Sequence, residues 1–225
     1  MRRSQFVSLL SLIVLTAGTL TAADAGWVVL FDGKSTDAWR AYRQEGFPKK
    51  GWEVVDGTLH VKGGGGAGDL VTRQKFGDFE LEWEWKVSPG ANSGVMYRVT
   101  EVGSEPWNTG PEYQILDDAL HPDGKNPKTS AAALYALVAP DAAKALKPVG
   151  EWNASRIVLK GSKLEHWLNG KRVVGLDLSS PEAKALIAKS KFKDLPRFAQ
   201  EPAGYICLQD HGNDVWYRAI RVRPL

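Results

Sequence analysis

"DFELEWEWKV", residues 78–87, alternates strictly between apolar and charged positions. Successive side chains of an extended chain point to opposite faces, so Phe79, Leu81, Trp83 and Trp85 form one face and Glu80, Glu82 and Glu84 the other, with Lys86 continuing the charged face. A strand that is apolar on one side and charged on the other belongs in an antiparallel sheet packed against a second layer. Outward from it lie more runs of the same kind. "WEVVDGTLHV" (52–61) holds two short alternating runs joined at Asp56-Gly57, and "KLEHWLNGKRVV" (163–174) holds two more joined at Asn169-Gly170; both dipeptides are strong hairpin signals. "NSGVMYRVT" (92–100), "GPEYQILDD" (110–118), "AAALYALVAP" (131–140), "EWNASRIVLKG" (151–161), "GYICLQD" (204–210) and "VWYRAIRV" (215–222) continue the series. Helical pattern is scarce: "DAAKALK" (141–147), and "SSPEAKALIAKSKF" (179–192), where Ser180 can cap and Pro181 takes the first helical position. Many short strands with turns between them predict an all-β, two-sheet sandwich forming one domain.

The first 25 residues stand outside that domain. Met1-Arg2-Arg3, an apolar run from Phe6 that is too short and interrupted for a membrane span, and "ADA" at 23–25 have the pattern of a secretory leader. This reading predicts an exported protein without a membrane anchor, whose mature domain runs from 26 to 225. A formal net charge of +3 gives no argument for nucleic acid or for an anionic membrane. Cys207 is the only cysteine, so no internal disulfide supports the fold, and a free thiol in an oxidising compartment is safest buried. Nine tryptophans are the stronger compositional clue, because flat aromatic faces match the C–H faces of sugars as well as packing cores.

Several constellations could carry chemistry. The ladder Glu80, Glu82, Glu84 resembles the spaced carboxylates of retaining glucanases, which need two carboxyls roughly 5 Å apart. Its continuation by Lys86 and the fully apolar opposite face favour a solvated outer surface. On 110–118, Glu112 and Gln114 share one face and Tyr113, Ile115 and Asp117 the other, so one face reads as core and the other as a site. By the same parity Arg98 shares a face with Gly94 and Met96, where it either snorkels at an edge or holds an oxygen-rich ligand. "LQDHG" ends a strand with Gln209 and His211 on one side and Asp210 on the other. His60 and His166 lie in other strands, and four histidines without HxH or HxxxH spacing give no zinc signal; a divalent metal assembled from separate strands stays open. "GGGGAG" (63–68) lacks the Lys-Ser/Thr ending and following helix of a phosphate loop. Asn153 matches a glycosylation sequon but begins a strand, which favours a structural role.

"LFDGKSTDAW", "NSGVMYR", "GPEYQILDD", "ALYALVAP", "GEWNASRIV", "HWLNGKRVV" and "GYICLQDHGNDVWYRAIRV" follow one another from Leu30 to near the C-terminus. In this order they resemble the 3-keto-disaccharide hydrolase family over essentially the whole mature chain. The resemblance implies a concanavalin-like jelly-roll β-sandwich of two antiparallel sheets with short peripheral helices. It also implies a carbohydrate substrate, a glycoside already oxidised to a ketone at C3. The positions matching the family's recurring polar residues are Arg98, Glu112, Gln114, Asp210 and His211; Ala219 stands where relatives commonly show asparagine. On this reading Glu112, His211 and Asp210 are catalytic candidates, with Glu112 as the base. Arg98, Gln114, His166, Trp107 and Tyr135 are substrate-binding candidates. No cofactor is firmly implied, and nothing in the chain sets an oligomeric state. Two competing readings are a non-catalytic lectin-like module on the same fold and a retaining glucanase using the Glu80 ladder.

Overall fold

The computed structural model describes residues 26–225, so the leader-like segment lies outside the described residues. Thirteen strands follow in chain order: β1 (Val28–Phe31), β2 (Trp39–Ala41), β3 (Trp52–Val55), β4 (Thr58–Val61), β5 (Leu70–Thr72), β6 (Phe79–Val87), β7 (Asn92–Val99), β8 (Glu112–Leu116), β9 (Asn153–Lys160), β10 (Lys163–Leu168), β11 (Lys171–Asp177), β12 (Tyr205–Leu208) and β13 (Val215–Pro224). One α-helix, α1 (Pro181–Ala188), and three short 3-10 turns interrupt them among the described residues, with the Ser180 hydroxyl accepting from the Ala183 N–H at the start of α1. An eight-stranded sheet runs β11-β10-β9-β6-β13-β4-β3 with β1 also on β13, and a five-stranded sheet runs β2-β5-β12-β7-β8. Every strand pairing among the described residues is antiparallel, as a jelly roll requires.

The alternation of β6 sets the layers. Phe79, Leu81, Trp83 and Trp85 are buried between the sheets, against Tyr97, Tyr113 and Ile115 of the smaller sheet. Each such side chain contributes on the order of 1.5–3 kcal/mol by leaving water. The opposite face is an ion-pair ladder: Arg218 holds Glu84, Arg221 holds Glu82, and Arg223 and Arg156 hold Glu80. Glu80 is buried beneath its two arginines, while Glu82 and Glu84 are half-buried. Each of these carboxylates is engaged by an arginine, and Glu82 and Glu84 line a second cavity of about 800 Å³ together with Arg156 and Trp167. Both expected hairpins form, with positive φ at Asp56, Gly57, Asn169 and Gly170, the backbone that a two-residue turn between twisted strands requires.

Two sequence expectations fail locally. Residues 131–140 form a looped strap instead of a strand, with Ala132 and Ala136 at positive φ. The strap satisfies the free edge of β8: Ala132 N–H donates to Gln114 O, Gln114 N–H to Ala133 O, and Tyr135 N–H to Glu112 O. Residues 141–147 form turns, since a seven-residue stretch is too short to hold a helix alone. Here Lys144 instead ties the chain to Asp118, the Ser130 hydroxyl and Ala131 O. Asn153 is structural, its Oδ1 accepting from Lys147 N–H and Asn169 Nδ2, and Cys207 is fully buried.

Candidate active site

All five residues of β8 are buried, including the two polar ones. Tyr113 and Ile115 point into the core between the sheets. Glu112 and Gln114 therefore point the other way, onto the outer face of the five-stranded sheet. Loops cover that face and leave a cavity of about 490 Å³. Ala41 of β2, Asn92 of β7, and Glu112 and Gln114 of β8 contribute from strands. Gly68-Asp69 and Gln209–His211 arrive from strand ends, and Trp107, Tyr135 and Lys191 from the covering loops.

Glu112 is the unusual group. Its carboxyl makes no hydrogen bond among the described residues, and burial pushes its pKa up to about 8, with the charges of Asp69 and Asp123 adding to the rise and Lys191 opposing it. A glycine makes room for it. A Cβ on Gly94 of β7, the residue facing Gln114 across the ladder, would lie 2.8 Å from Glu112 Cδ and 2.9 Å from Cγ. Because the obstructing atoms are the movable end of a side chain, Gly94→Ala is expected to displace the carboxyl and leave the fold intact. A displacement of this size should lower kcat/KM on the order of 10²-fold. Kinetics together with a thermal melt close to wild type would check it.

The amides around Glu112 are half-satisfied. Gln114 Nε2 donates to Thr129 O, yet its Oε1 has no partner; Asn92 Oδ1 and Gln209 Oε1 likewise lack one, and all three residues line the cavity. Buried acceptors without donors are costly and ask for an occupant that brings donors. Asp69 is a second perturbed acid, pushed up to about 7 by burial and by its neighbours Asp210 and Glu105, against the Asp210 N–H that donates to its Oδ1.

Six of the eight sequence candidates line this cavity: Glu112, Gln114, Trp107, Tyr135, Asp210 and His211. Asp210 does so in a structural manner. Its Oδ2 accepts from the Ala67 and Gly68 N–H groups and its Oδ1 from Gly212 N–H, pinning the glycine-rich loop at the rim. His211 is exposed at the mouth, with the ring of His121 6.4 Å away.

Arg98 and His166 lie elsewhere, which corrects the expectation for both. Between Met96 and Val99 strand β7 slips register against β12, and Arg98 sits at φ 49 in that bulge. The bulge breaks the two-residue parity and swings the guanidinium to the sheet rim, where it binds Asp78, Gly77 O and Gly161 O. His166 is fully buried between the sheets and its pKa falls to about 4. Its Nδ1 lies 3.2 Å from Ala132 O, which can only accept, so Nε2 receives the Tyr97 hydroxyl at 3.0 Å. It is a neutral core residue.

Lys191, Asp69, Asn92 and Gln209 are site residues for which sequence reading gave no role. Lys191 was one lysine among several in a helix-like stretch, and Asp69 follows a glycine run whose path only the fold reveals. Among the described residues no group of three or more His, Cys, Asp or Glu side chains is arranged to hold a metal ion. None of their helices is long and apolar enough to cross a membrane.

The molecule is a jelly-roll sandwich with a polar, aromatic-walled cavity on its smaller sheet. Residues 26–223 match the model of the 3-keto-alpha-glucoside-1,2-lyase-like domain, and the chain belongs to that family. It is 38% identical over 230 residues to a 3-keto-disaccharide hydrolase of Bacteroides thetaiotaomicron, covering 89% of this chain and 79% of the relative. A candidate glycosyl hydrolase of known structure from Parabacteroides distasonis superposes with a TM-score of 0.83 at 31% identity, covering 92% of this chain and 98% of that one. A non-specific endo-beta-1,3(4)-glucanase superposes with a TM-score of 0.52 at 11% identity, over 88% of this chain and 91% of that one; this likeness concerns the fold alone.

Proposed function

We propose that this protein is a carbohydrate-active hydrolase that cleaves glycosides oxidised to a ketone at C3, by elimination followed by hydration. The observation that carries this reading is Glu112: a desolvated carboxyl on a cavity floor, without a hydrogen-bond partner among the described residues, whose pKa of about 8 fits a proton-transfer role. A C3 ketone acidifies the C2 hydrogen. Glu112 takes that proton, the C–H electron pair passes to the ketone as an enolate, and the enolate expels the C1 oxygen substituent, which leaves with its electron pair and gains a proton. Water then adds across the C1–C2 double bond, hydroxyl to C1 and hydrogen to C2, so the net change is hydrolysis.

The unpartnered amide oxygens of Asn92, Gln114 and Gln209 suit a polyhydroxylated substrate, and Trp107 and Tyr135 offer rings for its C–H faces. The Glu80 ladder lies outside the Glu112 cavity, and although Glu82 and Glu84 line a second one, each carboxylate of the ladder is paired with an arginine, which disfavours the glucanase reading. The 38%-identical relative, named for 3-keto-disaccharide hydrolysis, supports the substrate class, and the leader-like first residues support export.

Incubation with a 3-keto-disaccharide beside its unoxidised parent tests the proposal. Sugar release from the keto compound alone is expected, because only the ketone makes the C2 hydrogen removable. Equal cleavage of both would remove the keto-sugar assignment, and binding without release from either would favour the lectin-like alternative.

A further inference from the structure

Elimination places negative charge on the C3 oxygen, and the cavity opposes that charge with the carboxyls of Asp69, Glu105, Glu112 and Asp210. Lys191 is the one lysine or arginine among its described lining residues. It follows α1 on a short connection to Phe192, and its Nζ lies 4.4 Å from the centre of the Tyr135 ring, 5.2 Å from that of Phe192 and 5.4 Å from that of Trp107. No hydrogen bond or close ion pair to a described residue holds it. Burial lowers its pKa, while Glu112 and Asp123 act in the opposite sense. Three ring faces also favour the ammonium form. The result is a charged donor, positioned by aromatic walls and without an anion in direct contact.

Resting on the elimination reading above, we propose that Lys191 is a catalytic residue whose ammonium donates a hydrogen bond to the C3 carbonyl oxygen and stabilises the enolate formed as Glu112 removes the C2 proton. The step balances without a covalent bond to nitrogen. The C2–H electron pair becomes a C2–C3 double bond, the carbonyl pair moves to oxygen, the proton rests on Glu112, and the oxygen charge is paired with the ammonium. An imine would need the free amine, which burial favours and the three rings, Glu112 and Asp123 oppose. The same residue confers selectivity, since an unoxidised C3 hydroxyl develops no charge for it to meet.

The test uses a 1,5-anhydro sugar oxidised at C3, which has no glycosidic leaving group, and follows exchange of its C2 hydrogen in deuterated water by NMR. Wild type is expected to exchange C2 well above the buffer rate. Lys191→Met should slow exchange on the order of 10²- to 10³-fold, the size of losing one donor to a developing oxyanion. Lys191→Arg, which keeps the charge on a fork of different shape, should stay within about tenfold of wild type. Undiminished exchange in K191M would overturn the role of Lys191 and leave the elimination reading standing. K191R falling as far as K191M would show that packing, not charge, was lost, and would overturn it too. A borohydride-fixed adduct on Lys191 would replace the ionic role with an imine. Failure of the wild type to exchange at all would overturn the elimination reading, and this inference with it.

Discussion

Glu112→Gln is expected to lower kcat on the order of 10³-fold while making the protein more stable at alkaline pH, because one buried carboxyl is responsible for both properties. The amide keeps the shape and loses the basic electron pair, so binding of the keto substrate should survive. For wild type, kcat/KM should rise with pH along a limb that inflects near 8, where Glu112 ionises, and the variant should lose that limb. The stability effect has a definite sign. Below the ordinary carboxyl value of 4.5 the group is protonated in folded and unfolded chains alike and contributes no difference. Between 4.5 and about 8 the unfolded chain releases the proton that the folded chain retains, so wild-type stability falls across that window, and above about 8 the loss is complete. The variant lacks this loss. Its melting temperature should exceed that of wild type by several degrees at pH 9 and match it near pH 4, in paired thermal melts. Equal melts at both pH values would show that Glu112 is solvated, and would remove the ground for treating it as a tuned base.

The sandwich was legible because burial is a property of whole strands: the alternation of 78–87 and the two hairpin dipeptides survive any detail of packing. Glu112 and Gln114 were legible for the same reason, since β8 is regular and its parity holds from Glu112 to Leu116. The identical argument misplaced Arg98, because one residue at positive φ resets the parity of β7, and no residue type in "MYRV" announces a bulge. His166 shares its face of β10 with Leu164 and Leu168, so the parity of its own strand marks it as core and runs against a substrate-binding role. Residues that reach the cavity from loops, such as Lys191 and Asp69, depend on chain paths set by tertiary contacts. Tyr135 is the instructive mixture: the residue is at the cavity as expected, but on a strap that caps the edge of β8 and not on a strand.

In deuterated water, the 3-keto sugar released from a 3-keto-disaccharide is expected to carry one solvent deuterium at C2, and its departing partner sugar none. Elimination breaks the C2–H bond and hydration rebuilds it from solvent, so every turnover through that route leaves the label. The cavity does hold the elements of a rival route. Asp69 and Glu112 are both perturbed carboxyls lining one space, each raised first by its own burial, and the Asp69 charge adds to the rise at Glu112. Displacement at C1 by such a pair would leave C2 untouched and the product unlabelled. Electrostatics favours elimination. Asp69 already accepts the Asp210 N–H at 2.8 Å, which fixes one of its oxygens, while the Glu112 carboxyl has no hydrogen-bond partner among the described residues. A site with one free base and one lysine matches a reaction that needs one proton removed and one oxyanion held. Early time points, compared with the same product incubated without enzyme, separate labelling during turnover from later exchange. Unlabelled product at those times would transfer the mechanism to the Asp69–Glu112 pair, and Asp69→Asn would then be expected to abolish turnover as fully as Glu112→Gln.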